Sequence, residues 1–150
     1  MRILVLHGPN LDLLGRRQPE VYGGRTLEEI NARMRALARE LGAEIEFEQL
    51  DEEEKMVAAA AAAPGRCDGL IINPACYTHT SAALGEALAA SGVPYVEVHL
   101  SNPYAREEFR HRSFVAGGAV GRVMGFRGDS YLLALQGLVD WLRDRQTANP

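Results

Sequence analysis

"RILVLHGPN", residues 2–10, decides the fold. After Arg2 the run is leucine and β-branched residues without a polar break, and "HGPN" halts it. An amphipathic strand would alternate; an unbroken short run reads as a strand covered on both faces, as in a parallel sheet. It is too short for a secretory leader, and no stretch of the chain is long enough to span a bilayer.

Working outward, four more segments read as strands: "AEIEFEQL" at 43–50, which alternates, "CDGLIINP" at 67–74, again a buried run, "VPYVEVHL" at 93–100 and a glycine-weakened "AVGRVMGF" at 119–126. Between them lie helical patterns. Thr26 and Glu29 form a capping box ahead of Leu27, Ile30, Met34, Leu37 and Leu41, with Gly42 as the stop. Asp51 and Glu54 repeat the capping pattern before "KMVAAAAAA", which Pro64-Gly65 ends; alanine favours a helix, here a short, loosely packed surface one. "HTSAALGEALAASG", residues 79–92, is a third helix. "SNPYAREEFRHRS", residues 101–113, is a polar connection. Asp129 or Ser130 caps a last helix with Leu135, Leu138, Val139 and Leu142 on one face, and "RQTANP" is a frayed tail.

Strands separated by crossover-length spacers argue an α/β class with a parallel sheet and helices on both faces. For five strands the expected order is 2-1-3-4-5, a flavodoxin-like three-layer sandwich. The 150 residues fit a single domain, 1–150, with no internal repeat or linker. A net charge of −4 argues against a broad nucleic-acid surface. Cys67 and Cys76 flank the third strand, about 20 Å or more apart, too far for a disulfide. Free thiols fit a cytoplasmic location.

In such sheets ligands bind beyond the carboxyl ends of the strands. The first strand is followed by Asn10 and the loop "GRRQPEVYGG", residues 15–24, with Arg17 and Tyr22. The third is followed by Asn73 and His79, and the fourth ends in Glu97 and His99, with Ser101, Arg106 and Arg110 beyond. Strand ends one, three and four are neighbours, so one crevice gathers Asn10, Arg17, Tyr22, Asn73, His79, Glu97, His99 and Arg110. An isolated tyrosine is a poor base near neutral pH, but a neighbouring guanidinium favours the phenolate. Arg17 supplies one from the same segment. Glu97 and His99 occupy alternate strand positions, which puts them on one face and suits His99 as a general acid. A base and an acid in one crevice suit proton abstraction with loss of a leaving group.

Taken singly these residues have plainer readings: Tyr22 as packing, Arg16 and Arg17 as solvated cations, His79 as a helix cap, His99 as a core histidine, and His7 and His111 as structural or solvent-facing. Metal-binding histidine spacings are absent, as are G-x-G-x-x-G and GK[ST] phosphate loops. Flavin-binding and phosphoacceptor modules share the fold. The first would need a hydroxyl- and glycine-rich loop where "HGPNLDLLG" stands, and the second an acidic cluster where Asn10 and Asn73 stand.

Four motifs in order, "GPNLDLLGRRQPEVYG", "INPACYTHTSAAL", "VEVHLSN" and "AREEFRHRS", resemble the type II 3-dehydroquinate dehydratases almost end to end. The resemblance implies a hydro-lyase without cofactor or metal that converts 3-dehydroquinate to 3-dehydroshikimate by anti elimination through an enolate. This is the third step of the shikimate pathway to chorismate and the aromatic amino acids. It implies a homododecamer, a tetramer of trimers. By motif, Tyr22 is the base, Arg17 keeps it anionic, and Asn10 holds a water at the enolate oxygen. His99 protonates the leaving hydroxyl and Glu97 orients it. Asn73, His79, Leu100, Ser101 and Arg110 bind substrate, and Glu86 reaches a neighbouring subunit's substrate. Three positions depart from the family's usual residues: His7 and Asp12, where asparagine is frequent, and Glu86, where aspartate is.

Overall fold

The computed structural model describes residues 1–149. The five segments read as strands become β1 (Arg2–His7), β2 (Glu44–Gln49), β3 (Gly69–Asn73), β4 (Tyr95–His99) and β5 (Gly121–Met124). All neighbours pair in parallel, in the order β2-β1-β3-β4-β5. This is the expected flavodoxin-like architecture. β1 runs one residue past its apolar run, through His7, whereas β2 to β5 are shorter than the segments read for them, most of all β5, which keeps four residues.

β1 lies between β2 and β3, and its alternate side chains feed two cores. Ile3 and Val5 join Ile71, Val96 and Val98 beneath α2 (Leu27–Glu40) and α5 (Asp129–Ala148). Leu4 and Leu6 join Leu70, Ile72 and Tyr95 beneath α3 (Glu53–Ala61) and α4 (Ala82–Ser91). This division explains why the run at residues 3–6 shows no polar alternation: both faces of β1 are inside.

Several local expectations are corrected. The capping box at Thr26 and Glu29 forms as read. The second one does not: α3 starts after Glu52 with no side-chain cap, because Asp51 accepts instead from Gln49 Nε2 at 2.9 Å. The alanine run is not loosely packed, since Met56, Ala60 and Ala63 are fully buried in the second core and α3 lies against α4. The third helix begins later than read. A 3-10 turn occupies Ala75–His79, and Ser81 caps α4 by accepting from Leu84 N at 3.1 Å. Neither Asp129 nor Ser130 caps α5. Asp129 is its first residue, with its carboxylate on Arg33 at 2.6 Å, and Ser130 Oγ accepts from Phe126 N. The helix runs on through Ala148, so the tail from Arg145 is helical rather than frayed; Pro150 lies outside the described residues.

Two glycines set the geometry of the sheet's carboxyl edge. A side chain at Gly8 would meet the Asn73 carbonyl oxygen at 2.7 Å, and Gly8 N donates to that oxygen at 2.8 Å. The turn after β1 therefore lies directly on the turn after β3. At Gly85 a side chain would collide with Phe114 O, and its absence lets α4 press onto the segment leading to β5.

Candidate active site

The carboxyl ends of β1, β3 and β4 open into a cleft of about 190 Å³. That volume is below the usual range for drug-sized ligands and suits one small organic acid rather than a dinucleotide. Asn10, Arg17, Tyr22, Asn73, His79, His99, Leu100, Ser101 and Arg110 all line it. Glu97 does not reach the cleft; it is fully buried behind His99. Glu86 is exposed on α4 and does not line the cleft of its own chain.

Tyr22 ends α1 (Pro19–Tyr22), a single turn whose proline fixes its first residue. Gln18 precedes it in the left-handed region at φ 41°. The turn is fastened from outside by Arg127, whose guanidinium donates to Glu20 O at 3.5 Å and whose side chain lies against Gly23. The guanidinium on the Tyr22 hydroxyl is that of Arg106, with Nη1 3.1 Å from Oη and the cation 5.5 Å from the ring centre. Arg17 shares the cleft but makes no hydrogen bond to Tyr22. Arg106 was thus the site residue that sequence reasoning under-weighted. Its signal was position alone, five residues beyond Ser101, to whose Oγ it also donates at 3.4 Å.

On the β4 side, His99 Nε2 lies 2.6 Å from Glu97 Oε1. Burial on its own would raise the Glu97 carboxyl, but the hydrogen bond and charge of His99 and the Arg122 guanidinium outweigh it and hold Glu97 below the usual carboxylate range. With Nε2 committed, Nδ1 is the His99 nitrogen left for a ligand. His79 donates through Nδ1 to Arg112 O at 2.7 Å, because a carbonyl can only accept. Its Nε2 is then free for the cleft, and partial burial pushes it below the ordinary histidine value. Arg110 is held by Glu107 at 2.7 Å and lies over the Phe109 ring.

Asn73 is oriented from behind. Its Oδ1 accepts from Ala75 N at 3.1 Å, with Ala75 in the left-handed region at φ 51°. On the neighbouring strand His7 stands opposite Asn73 in register, and its Nδ1 lies 2.9 Å from the Tyr131 hydroxyl. His7 Nε2 meets Asn31 Oδ1 at 2.8 Å. The oxygen of Asn31 can only accept, so Nε2 carries the proton and Tyr131 donates to Nδ1. His7 is therefore buried, neutral and structural, as one of its two plainer readings had it. His111 is exposed.

Both cysteines are free. Cys67 is buried and Cys76 is at the cleft wall. Among the described residues no group of His, Cys, Asp or Glu side chains has the spacing of a metal site. No helix among them is long and apolar enough to cross a membrane.

A doubly wound α/β fold with a phenol, an imidazole–carboxylate pair and three arginines around one small cleft defines an acid–base enzyme site. The comparisons narrow this class to one family. Residues 1–139 match the family model described as dehydroquinase class II. A 3-dehydroquinate dehydratase of Geotalea daltonii is 51% identical over 143 residues, covering 95% of this chain and 99% of that one. The type II dehydroquinase from Propionibacterium acnes superposes with a TM-score of 0.87 at 42% identity, over 93% of this chain and 96% of its own. That from Butyrivibrio crossotus gives 0.89 at 34% identity, over 93% and 97%. The chain belongs to the class II dehydroquinase family, whose members are hydro-lyases.

Proposed function

We propose that this chain dehydrates 3-dehydroquinate to 3-dehydroshikimate, the third step of the shikimate pathway, by anti elimination through an enolate. The observation that carries the proposal is the Tyr22 hydroxyl with the Arg106 guanidinium 3.1 Å away, on the wall of the cleft that His99 also lines.

Tyr22, as phenolate, takes a proton from C2 of the substrate. A positive donor on a phenol oxygen favours its anionic form; Arg106 is in place for this, and Arg17 joins when the loop closes on a ligand. Negative charge then moves to the ketone oxygen. Asn10 holds a water there, and the two arginines stabilise the enolate, an arrangement worth most in a cleft that excludes bulk water. His99, steadied by Glu97, delivers a proton to the C1 hydroxyl as it leaves. Asn73, His79, Ser101, the Leu100 backbone and Arg110 bind the carboxylate and the remaining hydroxyls. No cofactor or metal takes part. The chain acts as one catalytic domain, 1–150, in the cytoplasm, and assembles as a tetramer of trimers in which Glu86 reaches a neighbouring subunit's substrate.

The test is direct: mix the purified protein with 3-dehydroquinate and follow the ultraviolet absorbance of the conjugated enone. A steady rise, unchanged by prior treatment with a chelator, is expected. A folded protein that produces no rise overturns the proposal, and inactivation by chelator reversed by added zinc overturns its metal-free part.

A further inference from the structure

Glu97 has more partners than orienting one histidine requires. Arg122 stands opposite it in the β4–β5 register and grips the carboxylate with a fork, Nε to Oε2 at 3.0 Å and Nη2 to Oε1 at 3.1 Å. Its remaining nitrogen, Nη1, donates to Tyr104 Oη at 3.1 Å. Ser113 Oγ donates to the same carboxylate at 3.0 Å and accepts the backbone N–H groups of Val115 and Ala116. A buried carboxylate beside an imidazole stabilises the imidazolium. That orients a proton donor but also makes it a reluctant one. A cation on the far side of the carboxylate changes this balance.

We propose that Arg122 is a positioning residue for His99: its fork fixes the Glu97 carboxylate against the imidazole, and its charge offsets that carboxylate so that the imidazolium gives up its proton more readily. The proposal rests on His99 being the donor. The other ionisable groups facing His99 are His79 and, on the walls of the same cleft, Arg17, Tyr22, Cys76, Arg106 and Arg110. No carboxylate lines the cleft among the described residues, so Glu97 is the local negative charge that Arg122 balances.

The experiment uses Arg122→Gln, which keeps a donor for Glu97 and removes the charge, and Arg122→Lys, which keeps the charge and loses the fork. Turnover of 3-dehydroquinate is measured across pH, with Tm recorded for each protein. In Arg122→Gln, kcat is expected to fall about tenfold with KM within about twofold, part of the general-acid contribution. The alkaline limb of its kcat profile is expected to move up by on the order of one pH unit, because the uncovered carboxylate holds the imidazolium proton more tightly. In Arg122→Lys the limb is expected to stay at the wild-type position. A folded Arg122→Gln whose limb does not move reduces Arg122 to a brace and overturns the proposal. So does an Arg122→Lys whose limb moves upward, even if the glutamine variant fails to fold. His99→Gln keeps the two ideas separable: loss of the alkaline limb supports His99 as the donor, and its persistence overturns that assignment rather than the action of Arg122 on Glu97.

Discussion

The two walls of the cleft are built in opposite ways. Tyr22 sits half-buried at the end of a four-residue helix on an exposed segment, and its nearest cation, Arg106, comes from another turn. His99 sits at the end of a fully buried strand, with Glu97, Ser113 and Arg122 stacked behind it. Local stability follows buried contacts and protected hydrogen bonds, so the first wall can rearrange at little cost while the second cannot. Any closure over a ligand is therefore cheaper on the tyrosine side, and the histidine side is the better fixed reference.

Mutations on the two walls should therefore separate catalysis from stability. The largest effect is expected for Tyr22→Phe, a loss of about 10³-fold in kcat if the phenol oxygen is the base. Its Tm should stay within about 1–2 °C, because one part-exposed hydroxyl contributes little to the fold. Arg106→Ala is expected to lower kcat by about 10–100-fold, again with little change in Tm, by removing the donor on that oxygen. Steady-state kinetics and a melting curve decide both. Near-wild-type turnover in Tyr22→Phe would remove the assigned base, and a collapse in Tm would mean that this wall is as structural as the other.

Glu97→Gln should behave differently, losing both at once. The carboxylate is wholly buried and shares its charge with Arg122 and His99. Breaking a buried pair from one side leaves the other charge uncompensated, at a cost of roughly 3 kcal/mol, the low end because Arg122 keeps some exposure to water. We expect kcat down about 10²-fold together with that loss in urea unfolding. A variant that loses kcat at full stability would show that the two walls do not differ as argued.

The legible parts of this molecule were those fixed by local pattern. The central strands β1 and β3 announce themselves as unbroken apolar runs and β2 as an alternating one; crossover lengths argued their parallel direction, and the order is the usual one for five strands of this class. Glu97 and His99 were legible as a pair because positions two apart on a strand share a face. Arg122 was not legible, because its contact needs the register of β5 against β4, which the glycine-rich run at 117–121 does not specify. Arg106 was hidden for a related reason. Its reach to Tyr22 depends on the 3-10 turns at Pro103–Ala105 and Glu108–His111, and a polar run such as "NPYAREEFRH" carries no periodicity from which to infer them. The misplaced caps share one cause as well: Asp51 and Asp129 were each taken by another side chain.

A third region sharpens the contrast: His7, bonded to Tyr131 in the core, stands beside Asn73 in the β1–β3 register. Burial lowers the His7 value from 6.5 to about 4, and the hydrogen bond with Asn31 only partly opposes this. The unfolded chain takes up a proton there as pH drops below about 6.5, whereas the folded chain resists until about 4. The stability due to the neutral ring is thus complete above that upper value and lost as pH falls between the two. Near pH 5 most of that loss has occurred, about 2 kcal/mol. Glu97, whose folded value is depressed, loses its contribution in a lower window, below the ordinary carboxylate value of 4.5. The two are therefore separable by pH. His7→Asn retains a polar side chain but nothing to protonate, so between pH 7.5 and 5 the wild type should lose about 2 kcal/mol more than the variant in urea unfolding. Parallel losses in both proteins would mean that His7 is already charged within the fold. The direction of the hydrogen bond between His7 and Tyr131 would then have to be reversed.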